Sequence, residues 1–232
     1  MKSEKQLKKF LDAVAMLAVL AVPVSSAHAD TLKYLGPAYG GYVGTSGLVY
    51  TSPAVTASPS AGGILMQNVT AGGSFAAWCV DIYSWLNTSA SGSNYTLTSG
   101  TAFYLGSPDK VTALERLASQ HLASLSTVSD SGAFQLAVWE IAYETGASYN
   151  LGTGAFQVGS ATGGAIATAN NWLAALGNSA PTMALSVWAS GSSQDLAVFA
   201  APVPESEIYA MMIAGLGLLG FVARRRNRGV AV

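Results

Sequence analysis

The stretch DSGAFQLAVWEIAYETG, Asp130 to Gly146, decides the reading of the fold. Its body, Phe134 to Tyr143, is apolar nearly all the way round a helix. A helix without a polar face is buried on most sides, so other elements must surround it. It is expected to start near Asp130-Ser131 and to end at Gly146 as a C′ glycine. Outward on one side, Ser107-Pro108-Asp109 gives an N-cap, a first-turn proline and a first-turn acid in the preferred order. That helix should run to about Leu125, with Val111, Leu114, Leu117 and Leu122 near one face. Outward on the other side, a third helix is expected from about Ala165 to Leu176, stopped by Gly177. Beyond the helices lie short segments punctuated by Gly-Gly pairs at 40–41, 62–63 and 72–73. Thr31–Leu35, Gly41–Thr51, Gly63–Val69, Ser74–Tyr83, Tyr95–Thr98, Met183–Ala189 and Asp195–Ala200 read as strands. The expected class is α+β, a β-sandwich or barrel-like core with a helical insertion between the Cys79 strand and the C-terminal strands.

Charged residues make up only 10% of the 232-residue chain, apolar residues 50%, and the formal net charge is −1. Such a chain is neither a disordered polyampholyte nor, lacking a central basic patch, a nucleic-acid binder. The single cysteine excludes an intramolecular disulfide and a cysteine-based zinc site. The acids Asp81, Glu140, Glu144 and Asp195 are dispersed with no EF-hand-like spacing, so no metal and no cofactor is expected. Basic residues gather at the two ends, Lys2, Lys5, Lys8 and Lys9 at one and Arg224, Arg225, Arg226 and Arg228 at the other. Only Lys33, Lys110 and Arg116 lie between them, so the segment from Asp30 to Val203 is acidic.

Both ends read as addresses. Lys2 to Lys9 precedes an apolar stretch from Phe10 to Val24, interrupted by Asp12 and Pro23. Then comes Ala27-His28-Ala29, a small-residue cleavage site that leaves Asp30 as the first mature residue. Residues 1–29 are therefore expected to be a secretory signal peptide. At the other end Pro204-Glu205-Ser206 precedes an apolar run from Ile208 to Ala223, closed by Arg224, Arg225 and Arg226. The run falls a little short of the roughly 20 residues of a comfortable membrane span. Its arginines would stay cytoplasmic. This order of motif, apolar helix and arginine cluster resembles the PEP-CTERM sorting signal. The resemblance implies a membrane-embedded exosortase as processing partner and a transmembrane helix before processing. It further implies a final place on the surface or in the extracellular, biofilm-type matrix of a Gram-negative bacterium. Ser206 stands where the family usually has proline. The expected organisation is 1–29 signal, 30–201 surface domain and 202–232 sorting signal.

An exported lone thiol is a liability unless it is buried or committed to another bond. Cys79 lies in Phe75-Ala76-Ala77-Trp78-Cys79-Val80-Asp81, on an expected strand. Gln135 lies on the most apolar helix, where a carboxamide needs partners, and Trp139 is one turn further on the same face. A buried thiol and a buried carboxamide that face each other can condense to an internal thioester. The aromatic-Cys-apolar-acid motif, followed by apolar-Gln and a Trp four residues on, resembles the thioester domains of bacterial surface adhesins. The resemblance covers roughly Gly73 to Tyr149. It implies a Cys79–Gln135 thioester that acylates an amine on a ligand, with Trp78 and Trp139 excluding water and Asp81 in the acidic position. Such a protein reacts once and is not a turnover enzyme. Two other readings stand beside it. One is a non-reactive surface or matrix protein with a hydrogen-bonded Gln135. The other is a Cys–His hydrolase using His121, the only histidine left after signal removal.

Overall fold

The computed structural model describes residues 29–51, 54–104, 106–146, 148–201 and 212–218. The chain has a mixed α+β fold with a closed barrel at its centre. The strands are β1 (Ala29–Pro37), β2 (Val43–Thr51), β3 (Ala54–Ala57), β4 (Ser60–Ala61), β5 (Ile64–Asn68), β6 (Ser74–Cys79), β7 (Ser93–Ser99), β8 (Phe156–Ala161), β9 (Ala184–Ala189) and β10 (Leu196–Ala200). The helices are α1 (Gly100–Phe103), α2 (Pro108–His121), α3 (Val128–Tyr143) and α4 (Ala165–Ala174). Six strands close the barrel in the order β1-β5-β6-β10-β9-β7, and every neighbouring pair is antiparallel. The other four form a small sheet in which β2 pairs with β3, β4 and β8.

The apolar helix is the hub. Residues Ser131 to Ala142 of α3 are all buried, and they pack against β2, β4, β6, α2 and α4. Thr127 caps α3 in a reciprocal capping box with Asp130, which fixes its first turn three residues earlier than the acid alone suggests. Gly132 permits a close approach of α3 to β2: a Cβ there would collide with the Val43 side chain, so no larger residue lets the helix sit this near.

Several expectations need correction. The helix does not end on Gly146. Its C-cap is Glu144, in an extended conformation, whose carboxylate accepts the Thr145, Gly146 and Ala155 N–H groups at 2.7, 2.6 and 2.8 Å. A side chain satisfies these amides, so no left-handed glycine is needed. Ser107 precedes α2 without a side-chain capping bond. The Cys79 strand stops at Cys79 and does not continue to Tyr83. The expected helical insertion is subdivided: β8 lies between α3 and α4 and leaves for the small sheet.

The described part of the C-terminal run, residues 212–218, is helical and exposed along its length. The rest of the expected membrane segment lies outside the described residues. Among the described residues no helix is long and apolar enough to cross a membrane.

Candidate functional site

Cys79 is the last residue of β6, at a point where the barrel ladder is incomplete. On one side β6 pairs with β10, where Leu196 lies opposite Cys79. On the other side its ladder with β5 ends at Ala77, opposite Ile64. Backbone groups alternate in direction along a strand. The Val80 N–H donates to the Asp195 carbonyl at 3.0 Å, so the Cys79 backbone points the opposite way, to the side that β5 has left.

There α3 takes the place of the missing strand. The Cys79 N–H donates to Gln135 Oε1 at 2.9 Å, and Gln135 Nε2 donates to the Cys79 carbonyl at 2.8 Å. One turn earlier, Ser131 Oγ accepts the Gly63 N–H at 2.7 Å. Ser131, Gln135 and Trp139 are spaced four apart and so share one face of the helix. Cys79 and Gln135 are 56 positions apart in sequence yet held by two hydrogen bonds, both buried.

Cys79, Gln135 and Trp139 line one cavity of about 260 Å³. Tyr34, Tyr42 and Trp85 line it too. It lies at the barrel end where β6 finishes and β5 begins. The thiol is buried and donates to the Asp81 carbonyl at 3.0 Å. Burial pushes the Cys79 thiol well above its ordinary range, and the Trp139 indole beside the sulfur opposes that shift. The Trp139 N–H is buried and makes no hydrogen bond of ordinary geometry among the described residues. The arrangement therefore combines a neutral thiol, a carboxamide whose oxygen is polarised by a backbone N–H, and a cavity that reaches both.

The remaining sequence-derived residues take different places. Trp78 neighbours Cys79 on β6 and so points to the opposite face. It packs on Phe134 with ring centroids 4.9 Å apart, and on Phe199 at 6.2 Å. It does not line the Cys79 cavity, so its contribution is to seat α3 on the barrel and not to exclude water from the thiol. Asp81 contributes its backbone: its carbonyl accepts both the thiol and Gln194 Nε2, while Oδ1 accepts the Tyr83 N–H at 2.8 Å. His121, on α2, is stacked on Trp172 at 4.4 Å and does not line the cavity with Cys79.

Ala29 opens β1 opposite Thr96, and the Asp30 carboxylate accepts from Asn68 at 2.6 Å. Cleavage after Ala29 thus leaves the rest of β1 in the barrel. Ala27, Pro204, Glu205, Arg224, Arg225 and Arg226 lie outside the described residues.

Sequence reasoning missed Ser131, Trp85, Tyr34, Tyr42 and Gln194. Ser131 was open to detection as the residue one turn before Gln135. Trp85 was signalled only by being a large aromatic in a polar stretch. The tyrosines and Gln194 come from distant strands and loops, and no local pattern marks them.

A family model for the PEP-CTERM protein-sorting motif matches residues 200–226. It begins on the final residue of β10, so the sorting segment follows the barrel directly. The match supports an exported surface or matrix protein that is an exosortase substrate, with processing by that membrane protein. No curated protein and no solved structure matches the chain.

Proposed function

We propose that this is an exported surface or matrix protein whose 30–201 domain carries a Cys79–Gln135 thioester and couples once to an amine-bearing ligand. The observation that carries the reading is the double hydrogen bond between the Gln135 carboxamide and the Cys79 backbone, within a cavity that both residues line. Formation is a balanced condensation. Sγ bonds to the Gln135 amide carbon, the C–N bond breaks, and the thiol proton leaves with the amide nitrogen as ammonia. The Cys79 N–H remains on the carbonyl oxygen and keeps it polarised for the second step, as a single oxyanion-type donor. An incoming amine then forms an amide at Gln135 and Cys79 departs as a thiol. The buried site slows hydrolysis in the meantime. The cross-link between β6 and α3 would add about 4 kcal/mol if chain-entropy reasoning for disulfides transfers.

A second reading has its own support. Both polar atoms of the Gln135 side chain already have partners on Cys79, which is a complete structural role for a buried carboxamide. In that case the protein is a non-reactive structural component of the surface or matrix. Intact mass separates the two. Fresh mature protein with the thioester is lighter than its sequence by one ammonia, and Cys79→Ala and Gln135→Ala each restore the full mass. Methylamine then adds once, at Gln135, and frees one titratable thiol. Full mass with no methylamine adduct in folded, fresh protein removes the reactive reading.

A further inference from the structure

The cavity at Cys79 contains polar groups but no charge. Among the described residues, none of those lining it is acidic or basic. Tyr34 and Tyr42 share a hydroxyl–hydroxyl hydrogen bond of 3.2 Å, and Gln194 and Thr88 add further neutral polar groups. A second cavity of about 50 Å³ shares Pro59, Trp85, Trp139 and Gln194 with the first, and it too is lined only by uncharged residues. The two flank Trp85, which is 84% exposed and lies in the segment between β6 and β7. A solvent-facing indole between two uncharged cavities is an aromatic platform with hydrogen-bonding groups around it. The Asp81 and Asp195 carboxylates act on the Cys79 thiol from outside this cavity and line a different one with Phe103 and Tyr104.

This lining discriminates among amines. A lysine side chain, with a reference pKa of about 10.4, arrives as an ammonium and would have to enter a cavity whose lining holds no carboxylate to pair with it. An amine weakened by neighbouring oxygens, near the value of about 8 of a peptide α-amino group, is partly neutral at pH 7–8 and enters at far smaller cost. A sugar ring satisfies the rest of the lining. Its C–H face lies on an exposed indole, and its hydroxyls exchange hydrogen bonds with tyrosine and amide groups. We propose that the amine captured at Gln135 is the 2-amino group of an unacetylated amino sugar within a glycan chain, seated on Trp85. The inference rests on the thioester reading above. The sugar nitrogen bonds to the Gln135 carbonyl carbon, the C–S bond breaks, and the amine proton passes to Cys79 sulfur. The product is an N-acylated amino sugar joined to the protein, with one free thiol.

The test uses fresh mature protein at pH 7.5 and intact mass to follow adduct formation with four probes at equal concentration. These are a glucosamine oligomer, glycinamide, methylamine and Nα-acetyl-lysine amide. Glycinamide matches the sugar amine in basicity without its ring. The expected result is that the oligomer reacts at least roughly tenfold faster than glycinamide, the equivalent of one decade in affinity for the ring. In Trp85→Ala the ratio of oligomer to methylamine rates should fall several-fold. If glycinamide equals the oligomer, or the lysine analogue outruns it, the amino-sugar assignment is overturned and the thioester reading stands. If the fresh protein has full mass and no probe adds, both are overturned.

Discussion

Trp139 is the residue whose role is sharpest. Its indole N–H is buried near Cys79 sulfur and makes no hydrogen bond of ordinary geometry among the described residues, so it is free to donate to charge that develops there. In the proposed chemistry that N–H favours the departing sulfur when an amine attacks. Trp139→Phe keeps most of the packing and removes the donor. It should slow methylamine addition to fresh protein by roughly tenfold, the order expected for loss of one modest hydrogen bond to developing charge. The check is the adduct rate by mass, with the thermal midpoint measured alongside. A large fall in that midpoint with an unchanged rate would assign Trp139 to packing alone. Ser131 makes a different kind of contribution. Ser131→Ala leaves the Gly63 N–H without its acceptor in a buried position, which should cost about 1–3 kcal/mol in urea unfolding. The sequence revealed Cys79, Gln135 and Trp139 because each is an unusual residue in its setting. Ser131 carried a single faint signal, its place one turn before Gln135; a serine near a helix start is otherwise ordinary, and the tertiary approach to Gly63 gives it its partner.

At the scale of elements, α3 carries both Gln135 and a pH dependence. Glu140 is fully buried on it, and burial pushes its carboxyl up to about 7, with the charge of Glu144 adding to that shift and the Asn150 N–H opposing it. One oxygen accepts the Asn150 N–H at 2.7 Å, and the other has no hydrogen-bond partner among the described residues. The folded pKa exceeds the ordinary value of 4.5. The folded state therefore holds the proton more tightly than the unfolded chain. The stability linked to this group is complete below about 4.5 and is lost as pH rises through about 7. His121 works in the opposite sense. Burial lowers its pKa, so its contribution is lost as pH falls through its folded pKa and below its ordinary value of 6.5. The difference between wild type and Glu140→Gln isolates the carboxyl. The variant should match wild type near pH 5 and exceed it at pH 8 by on the order of 2 kcal/mol in urea unfolding. Equal stabilities at both pH values would mean that Glu140 titrates normally in the fold. The main strands and helices were legible because their periodicity and turn residues are local. β3, β4 and β8 were not, because their pairing with β2 depends on contacts that no short window contains.

For the whole molecule, the barrel and its surrounding helices close without the tail. The described part of that tail is an exposed helix whose Met212, Ile213, Leu216 and Leu218 have no place in the core. A chain ending at Val203 and beginning at Asp30 should therefore fold and remain soluble, with a urea midpoint equal to that of the full mature protein within error. Aggregation or loss of cooperative unfolding would make the tail part of the fold. The α+β class and barrel-like core could be anticipated because strands and helices were countable in the sequence. Barrel order could not, since β1 must lie between β5 and β7 while β10 lies between β6 and β9, and nothing in either segment names its neighbours.

The position of β10 has a consequence in time. It is the last of the described strands along the chain, and without it β6 and β9 have no partner between them. The sorting motif starts on its final residue. The barrel therefore cannot shut until the residue on which the sorting motif begins has been made, so closure waits on nearly the whole of the domain. Cys79, opposite Leu196 on that closing strand, therefore gains its finished surroundings only when the last strand of the barrel is in place.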